Sequence, residues 1–404
     1  MLSFLHGFKM SMINPKRETL HNSPRHWAIL IINKVLARPS QVRYQRVVML
    51  ASRFKLIVVT ANPFPEELRG FVQEVHVEKK GWGMWSKAIG LAKKKRQQNC
   101  LFYIHTQYSP NSIIAGYLCK KLVNCKWVYD LWDHPSVGWL GTKGPSRWIR
   151  RVFWVVSRQM LPKADAWIIA MHPGILAHLP PVPITCQLIF IRAGYIKPDR
   201  DGTGSDIIFR NNSVIKIAYS GPMVLQRGLA SMRDWIISYS GPSAELHLIG
   251  PCADPASQTL LNEIERESES KLNLSLRIWG ELPHSEVLEV LRNVDIGLCL
   301  LDTGVLNYKY AYPVKVIEYM NLGLIVLATE SHGTRALIMD GQNGFIERHK
   351  TGGFCQTMER AIAICQDPIT SIKVRDAARK AAWGYEWNSV NYELLQRLES
   401  VFNQ

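Results

Sequence analysis

Lys315 and Glu318 stand three residues apart in segment 310–329, YAYPVKVIEYMNLGLIVLAT, a spacing that sets both side chains on one face of a helix. Pro313 has no N–H to lose in a first helical turn and Gly323 suits a helix end, so a short helix is expected, followed by a buried apolar strand at 324–328. The start of such a helix carries unpaired N–H groups and partial positive charge, which with Lys315 make a place for an anion. Glu318 offers an acceptor to neighbouring hydroxyls. Phosphate beside a diol describes a nucleotide, although the same residues also suit a capped amphipathic helix with a solvated Lys/Glu pair.

Other residues capable of chemistry lie elsewhere in the chain. In SGPMVLQRG, residues 220–228, Gly221 lets backbone approach a phosphate and Arg227 adds charge-assisted bonds; the loop matches neither GxGxxG nor a Walker loop and equally suits a plain turn with an exposed arginine. His105 ends the apolar run 100–105, and Asp130, Asp133 and His134 follow the run 126–130. His105 is a candidate hydrogen-bond partner for a sugar hydroxyl, or a turn cap. The two aspartates and His134 can bind an acceptor or hold His105, and one aspartate can cap a turn. The cluster lacks the spacing of a metal-ligand set, so no metal is implied.

Elements that would position these residues alternate. Apolar runs at 26–36, 56–60, 72–77, 100–105, 126–130, 166–171 and 187–191 read as strands, and helical spacing at 42–53, 85–95, 113–123 and 148–160 separates them. A Pro/Gly/Asp-rich stretch, 195–205, reads as a linker. The alternation then restarts: strands at 214–219, 245–249, 274–279 and 296–301, helices through 237 and at 259–270, 285–293 (with Ser285 as N-cap), 354–364 and 388–402. Strand–helix alternation calls for α/β domains with parallel, doubly wound sheets, whose ligands collect beyond the carboxyl ends of the strands.

The chain of 404 residues exceeds one ordinary domain, and its 47% apolar and 20% charged content is that of a globular protein. No run of eighteen apolar residues occurs, so no membrane span is expected. Residues 1–26 lack an apolar core with a small-residue cleavage site, which argues against a secretory signal. Eight cysteines without a CxxC pair point to reduced, structural thiols and a cytoplasmic location. The net charge of +16 is polarised: residues 1–200 hold 30 Lys and Arg against 9 Asp and Glu. Such a half-chain suits a polyanion, either anionic lipid or nucleic acid. Segment 148–160, WIRRVFWVVSRQM, suits an anionic membrane surface or an ordinary sheet-covering helix; the charge run 93–96 suits the same surface or a solvated face.

The order of apolar strand, loop, Pro-x-Lys-x-x-Glu-Tyr-Met, Gly and apolar strand resembles the nucleotide-sugar signature of the group 1 glycosyltransferases (glycosyltransferase family 4), and segments 221–228, 246–250, 280–295 and 310–323 follow one another in that family's order. The resemblance implies two Rossmann-like doubly wound domains facing each other across a cleft, the GT-B type. In that scheme residues 1–25 are a basic disordered extension, 26–195 an acceptor- and membrane-facing domain, 196–212 a linker, 213–384 the nucleotide-sugar domain, and 385–404 a helix returning to the first domain. It further implies retaining transfer of a sugar from a nucleoside diphosphate sugar to a lipid-linked or polysaccharide acceptor, in cell-surface glycan or glycolipid synthesis at the inner membrane face, with no cofactor, metal or nucleic acid.

Residue by residue, the resemblance assigns the donor to Gly221, Arg227, Gly280, Glu281, Leu282, Tyr312, Pro313, Val314, Lys315 and Glu318. Arg227 and Lys315 face the diphosphate, Glu318 the ribose, and the 280–282 backbone the base edge. His105 joins Arg227 and Lys315 in catalysis, and Asp130, Asp133 and His134 lie on the acceptor side. Two departures stand out. The family's first Glu, eight residues before the ribose-binding one, is Tyr310 here, and 33–40 replaces the usual glycine-rich loop. A nucleic-acid-binding protein, a dinucleotide oxidoreductase and an inactive family member that only binds are the alternatives; the absence of GxGxxG after a strand counts against the oxidoreductase.

Overall fold

The computed structural model describes residues 26–32, 36, 42–96, 100–105, 110–134, 145–195, 214–252, 254–348 and 353–402. The expected extension 1–25, the linker 196–212 and most of 33–40 lie outside them. The amino-side elements run β1 (Trp27–Ile32), α1 (Val42–Ala51), β2 (Lys55–Thr60), α2 (Glu66–Arg69), β3 (Glu74–Val77), α3 (Trp82–Lys94), β4 (Cys100–His105), α4 (Pro110–Val123), β5 (Lys126–Leu131), α5 (Pro145–Met160), β6 (Ala166–Ile169) and β7 (Gln187–Phe190). The strands pair in parallel in the order β3-β2-β1-β4-β5-β6-β7. Central β1 reads WAILII because both faces are covered: Ala28 to Ile32 have no exposed surface, as expected of an inner parallel strand.

The carboxyl-side elements are β8 (Ile215–Ser220), α6 (Leu229–Ser238), β9 (Ala244–Ile249), α7 (Pro255–Glu269), β10 (Leu274–Gly280), α8 (His284–Leu291), β11 (Ile296–Cys299), α9 (Leu306–Tyr310), α10 (Val314–Leu322), β12 (Ile325–Thr329), α11 (His332–Leu337), β13 (Phe345–Glu347), α12 (Gly353–Gln366), α13 (Pro368–Ala382) and α14 (Trp387–Phe402). Their sheet is also parallel, in the order β10-β9-β8-β11-β12-β13. The chain is thus α/β with two parallel sheets, each covered by helices on both faces. Helices α2, α9, α11 and α13 and strand β13 are absent from the elements expected from sequence. Ser285 does not cap α8; the cap position is Pro283, without a side-chain bond.

Two segments of the carboxyl-side half reach the amino-side domain. Tyr195 pairs with Glu386 in a parallel bridge, and α14 packs its Leu394, Leu395, Leu398 and Val401 into the same apolar cluster as Tyr44, Val47 and Leu50 of α1. The second segment is α9. Its Tyr310 is buried among Met171 and Ile175 of the amino-side core. Met171 bridges Ala311 in antiparallel fashion, and His172 N–H donates to the Tyr310 carbonyl at 2.8 Å.

Candidate active site

The carboxyl ends of β8, β9 and β10 are stitched together by backbone. Gly221 N–H donates to the Ile249 carbonyl at 2.8 Å, Gly250 N–H to the Gly280 carbonyl at 2.7 Å, and Met223 N–H to the Pro251 carbonyl at 2.8 Å. This closeness needs glycine at 250, where φ is +137° and a Cβ would stand 2.1 Å from the Gly221 oxygen. Gly228 has φ of +77°, and a Cβ there would meet Leu300 at 2.3 Å. With that turn the chain enters α6 directly after Arg227.

Arg227 points into a cavity of about 260 Å³ that it shares with Tyr219, Ser220, Asn307, Tyr308, Pro313, Val314 and Lys315. Its guanidinium lies 5.7 Å from the Tyr308 ring centroid; burial lowers its pKa, but Tyr308 and Tyr219 outweigh burial and raise it, and Nε has no partner among the described residues. Pro313 stands at the start of α10, so Lys315 lies in its first turn. Burial pushes the Cys299 thiol up to about 12, with Arg227 and Lys315 acting against it; both cations therefore converge on this one spot. Two cations and a helix start around a cavity of nucleotide-fragment size favour an anion carrying more than one charge. A shallower depression of about 440 Å³ beside α7 and β10 is lined by Glu265, Glu269 and Lys271, where two carboxylates outnumber the one cation.

The remaining expected donor residues divide. Glu318 is one helical turn from Lys315 and binds its Nζ at 3.0 Å, with little side-chain exposure. The two form an ion pair, so a ligand hydroxyl or phosphate would compete for that contact. Gly221 adjoins Arg227, whose Nη1 would be 3.2 Å from a Cβ there. Gly280 ends β10, two strands from β8, and Glu281 and Leu282 follow it; none of the three lines the cavity. Tyr312 and Leu282 pack against the other apolar cluster of the domain. Sequence reasoning missed Tyr219, Asn307 and Tyr308; only the last, five residues before Pro313 and next to Lys309, carried a signal, since a tyrosine beside a basic residue can hold an anion.

In the amino-side domain His105 ends β4, and the residue is 6% exposed. Its Nδ1 lies 2.8 Å from Asp130 Oδ2, and Arg46 Nε donates to that oxygen at 2.9 Å. Asp130 has no exposed surface; of the two roles expected of it, contact with an acceptor or with His105, the structure shows the contact with His105. Burial raises its pKa, but Arg46 and His105 overcome that and lower it to about 2. Burial also lowers the His105 pKa, with Arg46 and Arg43 adding to it and Asp130 opposing. At neutral pH the pair is a carboxylate beside a neutral imidazole.

Asp133 and His134 turn toward α9. Asn307 Nδ2 donates to Asp133 Oδ1 at 2.8 Å, and His134 N–H donates to Asn307 Oδ1 at 3.0 Å. His178 Nε2 is 3.2 Å from the Tyr310 hydroxyl, and the Tyr310 ring stacks on His332 at 4.8 Å. Tyr310, at the position of the family's first glutamate, is therefore a buried peg between the domains. Among the described residues no group of three or more His, Cys, Asp or Glu side chains is arranged to hold a metal ion.

Residues 226–363 match the family model described as glycosyl transferases group 1. No curated protein matches the chain. Solved structures do: HepE of Anabaena in complex with UDP and glucose shares 14% identity at a TM-score of 0.67, over 93% of this chain and 100% of that one. A glycosyltransferase from Rickettsia africae shares 14% at 0.69, over 94% and 99%. Sucrose-phosphate synthase from Thermosynechococcus elongatus shares 15% at 0.67, over 93% and 99%. Arg227 and Lys315 both lie within the segment that matches this family model, in a chain whose fold is similar to that of these solved structures.

Proposed function

We propose that the protein transfers a sugar, with retention at the anomeric carbon, from a nucleoside diphosphate sugar to a lipid-linked or polysaccharide acceptor. The observation that carries the reading is the convergence of Arg227 and Lys315 on one cavity. Departure of the diphosphate builds negative charge as the anomeric carbon gains oxocarbenium character. Fixed cations and the α10 start stabilise that charge, and positioning across the cleft contributes further. Glu318, released from Lys315 when phosphate binds the lysine, takes the ribose. The backbone at 280–282 reads the base. A departing phosphate oxygen takes the acceptor proton, so no protein nucleophile is required. HepE binds UDP and glucose, which makes UDP-hexoses the first donors to test.

The acceptor reading rests on the amino-side domain. Helix α5 exposes Trp148, Val152, Val155 and Val156, which share one helical face, in the half of the chain that carries 30 Lys and Arg against 9 Asp and Glu. An apolar stripe among basic residues suits an anionic bilayer surface. No helix of the described residues is long and apolar enough to cross a membrane, so the proposed contact is peripheral, on the cytoplasmic face. Screening nucleotide sugars for donor hydrolysis and transfer, with and without vesicles containing phosphatidylserine, tests both halves. Turnover of one donor, raised by vesicles, is expected; no turnover of any donor overturns the enzyme reading.

A further inference from the structure

Asp130 Oδ2 accepts three hydrogen bonds: from Arg46 Nε at 2.9 Å, from the Tyr103 hydroxyl at 2.6 Å and from His105 Nδ1 at 2.8 Å. Arg46 and Asp130 have no exposed surface. Arg46 extends the network to the far end of the chain, donating from Nη1 to Asn391 Oδ1 at 3.1 Å, and Asn391 Nδ2 donates to Gln45 Oε1 at 3.2 Å. The guanidinium also lies 5.5 Å from the Trp132 ring centroid, and Trp132 meets His105 edge-on at 6.1 Å. Elements α1, β4, β5 and α14 thus converge on one imidazole.

A buried ion pair holds a fold no better than an apolar pair of the same volume, so stability does not account for this arrangement. Its geometry does one specific thing. Each donor on Asp130 comes from a different side chain, and the only ring atom of His105 left unbonded by the described residues is Nε2, which is not sealed from solvent. His105 stands at the carboxyl end of β4, where open parallel sheets bind ligands.

We propose that Asp130, Arg46 and Tyr103 are positioning residues that fix the tautomer and orientation of His105, with Nδ1–H donating to Asp130 and Nε2 turned to accept a hydroxyl of the bound sugar. The role given to Nε2 rests on the glycosyl-transfer reading; the tautomer does not. Arg46 has a second task here. An aspartate alone beside His105 would favour imidazolium, whose Nε2–H donates and cannot accept. Arg46 and Arg43, both on α1, oppose that charge, so the carboxylate orients the ring without protonating it. Asn391 anchors Arg46, which makes the returning helix α14 part of the site.

The test is ¹⁵N NMR of histidine-labelled protein at pH 7.5, with kcat and KM for the donor that the wild type turns over. The His105 signals are identified by their loss in His105→Gln. The wild type should show His105 protonated on Nδ1 alone. In Asp130→Asn, whose amide can donate to the ring, the population should move toward Nε2–H, and kcat should fall ~100-fold, as for a misplaced positioning contact, with KM changed far less. Tyr103→Phe is isosteric and keeps the falsifiability should Asp130→Asn fail to fold. Removing one donor from Asp130 should keep the Nδ1–H tautomer while the acid limb of kcat/KM against pH moves upward. A wild-type ring protonated on Nε2, or an unmoved tautomer in a folded Asp130→Asn, or an unmoved acid limb in Tyr103→Phe, overturns the proposal. The stated tautomer in a protein that turns over no nucleotide sugar supports the positioning and contradicts the glycosyl-transfer reading alone.

Discussion

Arg227 and Lys315 are separated by 88 positions, yet they line one cavity because the β8 and β11 ends are neighbours in the sheet and α10 starts just beyond. Each was visible in the sequence, Arg227 by its glycine loop and Lys315 by the Pro-x-Lys-x-x-Glu pattern. Their meeting was implied only by the resemblance, since sheet order is not written in any local segment. Arg46 was not visible at all: one arginine on an amphipathic helix looks like a solvated residue, and its partner lies 84 residues away. Replacing Arg227 with Ala should lower the rate of donor cleavage ~10²–10³-fold, the range for loss of one preorganised donor to a developing anion. Glu318→Ala should instead act mainly through donor affinity, because the ribose is bound alike in ground and transition states. Steady-state kcat and KM for both variants, with circular dichroism to confirm folding, check the division.

Among elements, the buried strands were the most legible, because inner parallel strands are continuous apolar runs. Helix α13 carried a readable start, Asp367 then Pro368, and the structure shows that aspartate accepting from the Ile369 and Thr370 N–H groups. Helix α9 had no such signal; its five residues are stabilised by tertiary contacts through Tyr310. The glycine stitching is a second tertiary feature. Gly250→Ala should cost roughly 2–3 kcal/mol of stability, since it combines positive φ with a clash against the Gly221 carbonyl; a urea midpoint unchanged from wild type would contradict the backbone account. Helix α5 makes its own prediction. Trp148→Glu or Val155→Glu should weaken sedimentation with anionic vesicles about tenfold and leave the melting temperature within a degree or two, as expected of exposed positions.

Over the whole molecule, pH bears on stability through groups at the domain boundary. Burial lowers the pKa of His105 and of His134. A group whose pKa is lower folded than unfolded contributes its full stability above the unfolded value and loses it as pH falls, so acidification below about 6.5 should destabilise the protein. Asp130, lowered to about 2, adds a loss on the order of 2 kcal/mol as pH falls from about 4 toward 2. Urea unfolding at pH 7.5, 5.5 and 4.5 should show a falling midpoint, and His105→Gln should flatten the part between the first two. The whole-chain architecture was legible from alternation and the family signatures, and the resemblance implied that 385–404 returns to the first domain; the way α9 reaches that domain was not legible, because its contacts depend on distant partners. The central claim is that Arg227 and Lys315 together grip a diphosphate. Calorimetric titration with UDP, GDP, ADP and TDP against the matching monophosphates tests it most directly. One diphosphate should bind at least about tenfold more tightly than its monophosphate, about 1.4 kcal/mol, and Arg227→Ala with Lys315→Met should abolish that margin. Equal affinities in every pair, or a margin that survives the double substitution, would contradict the account.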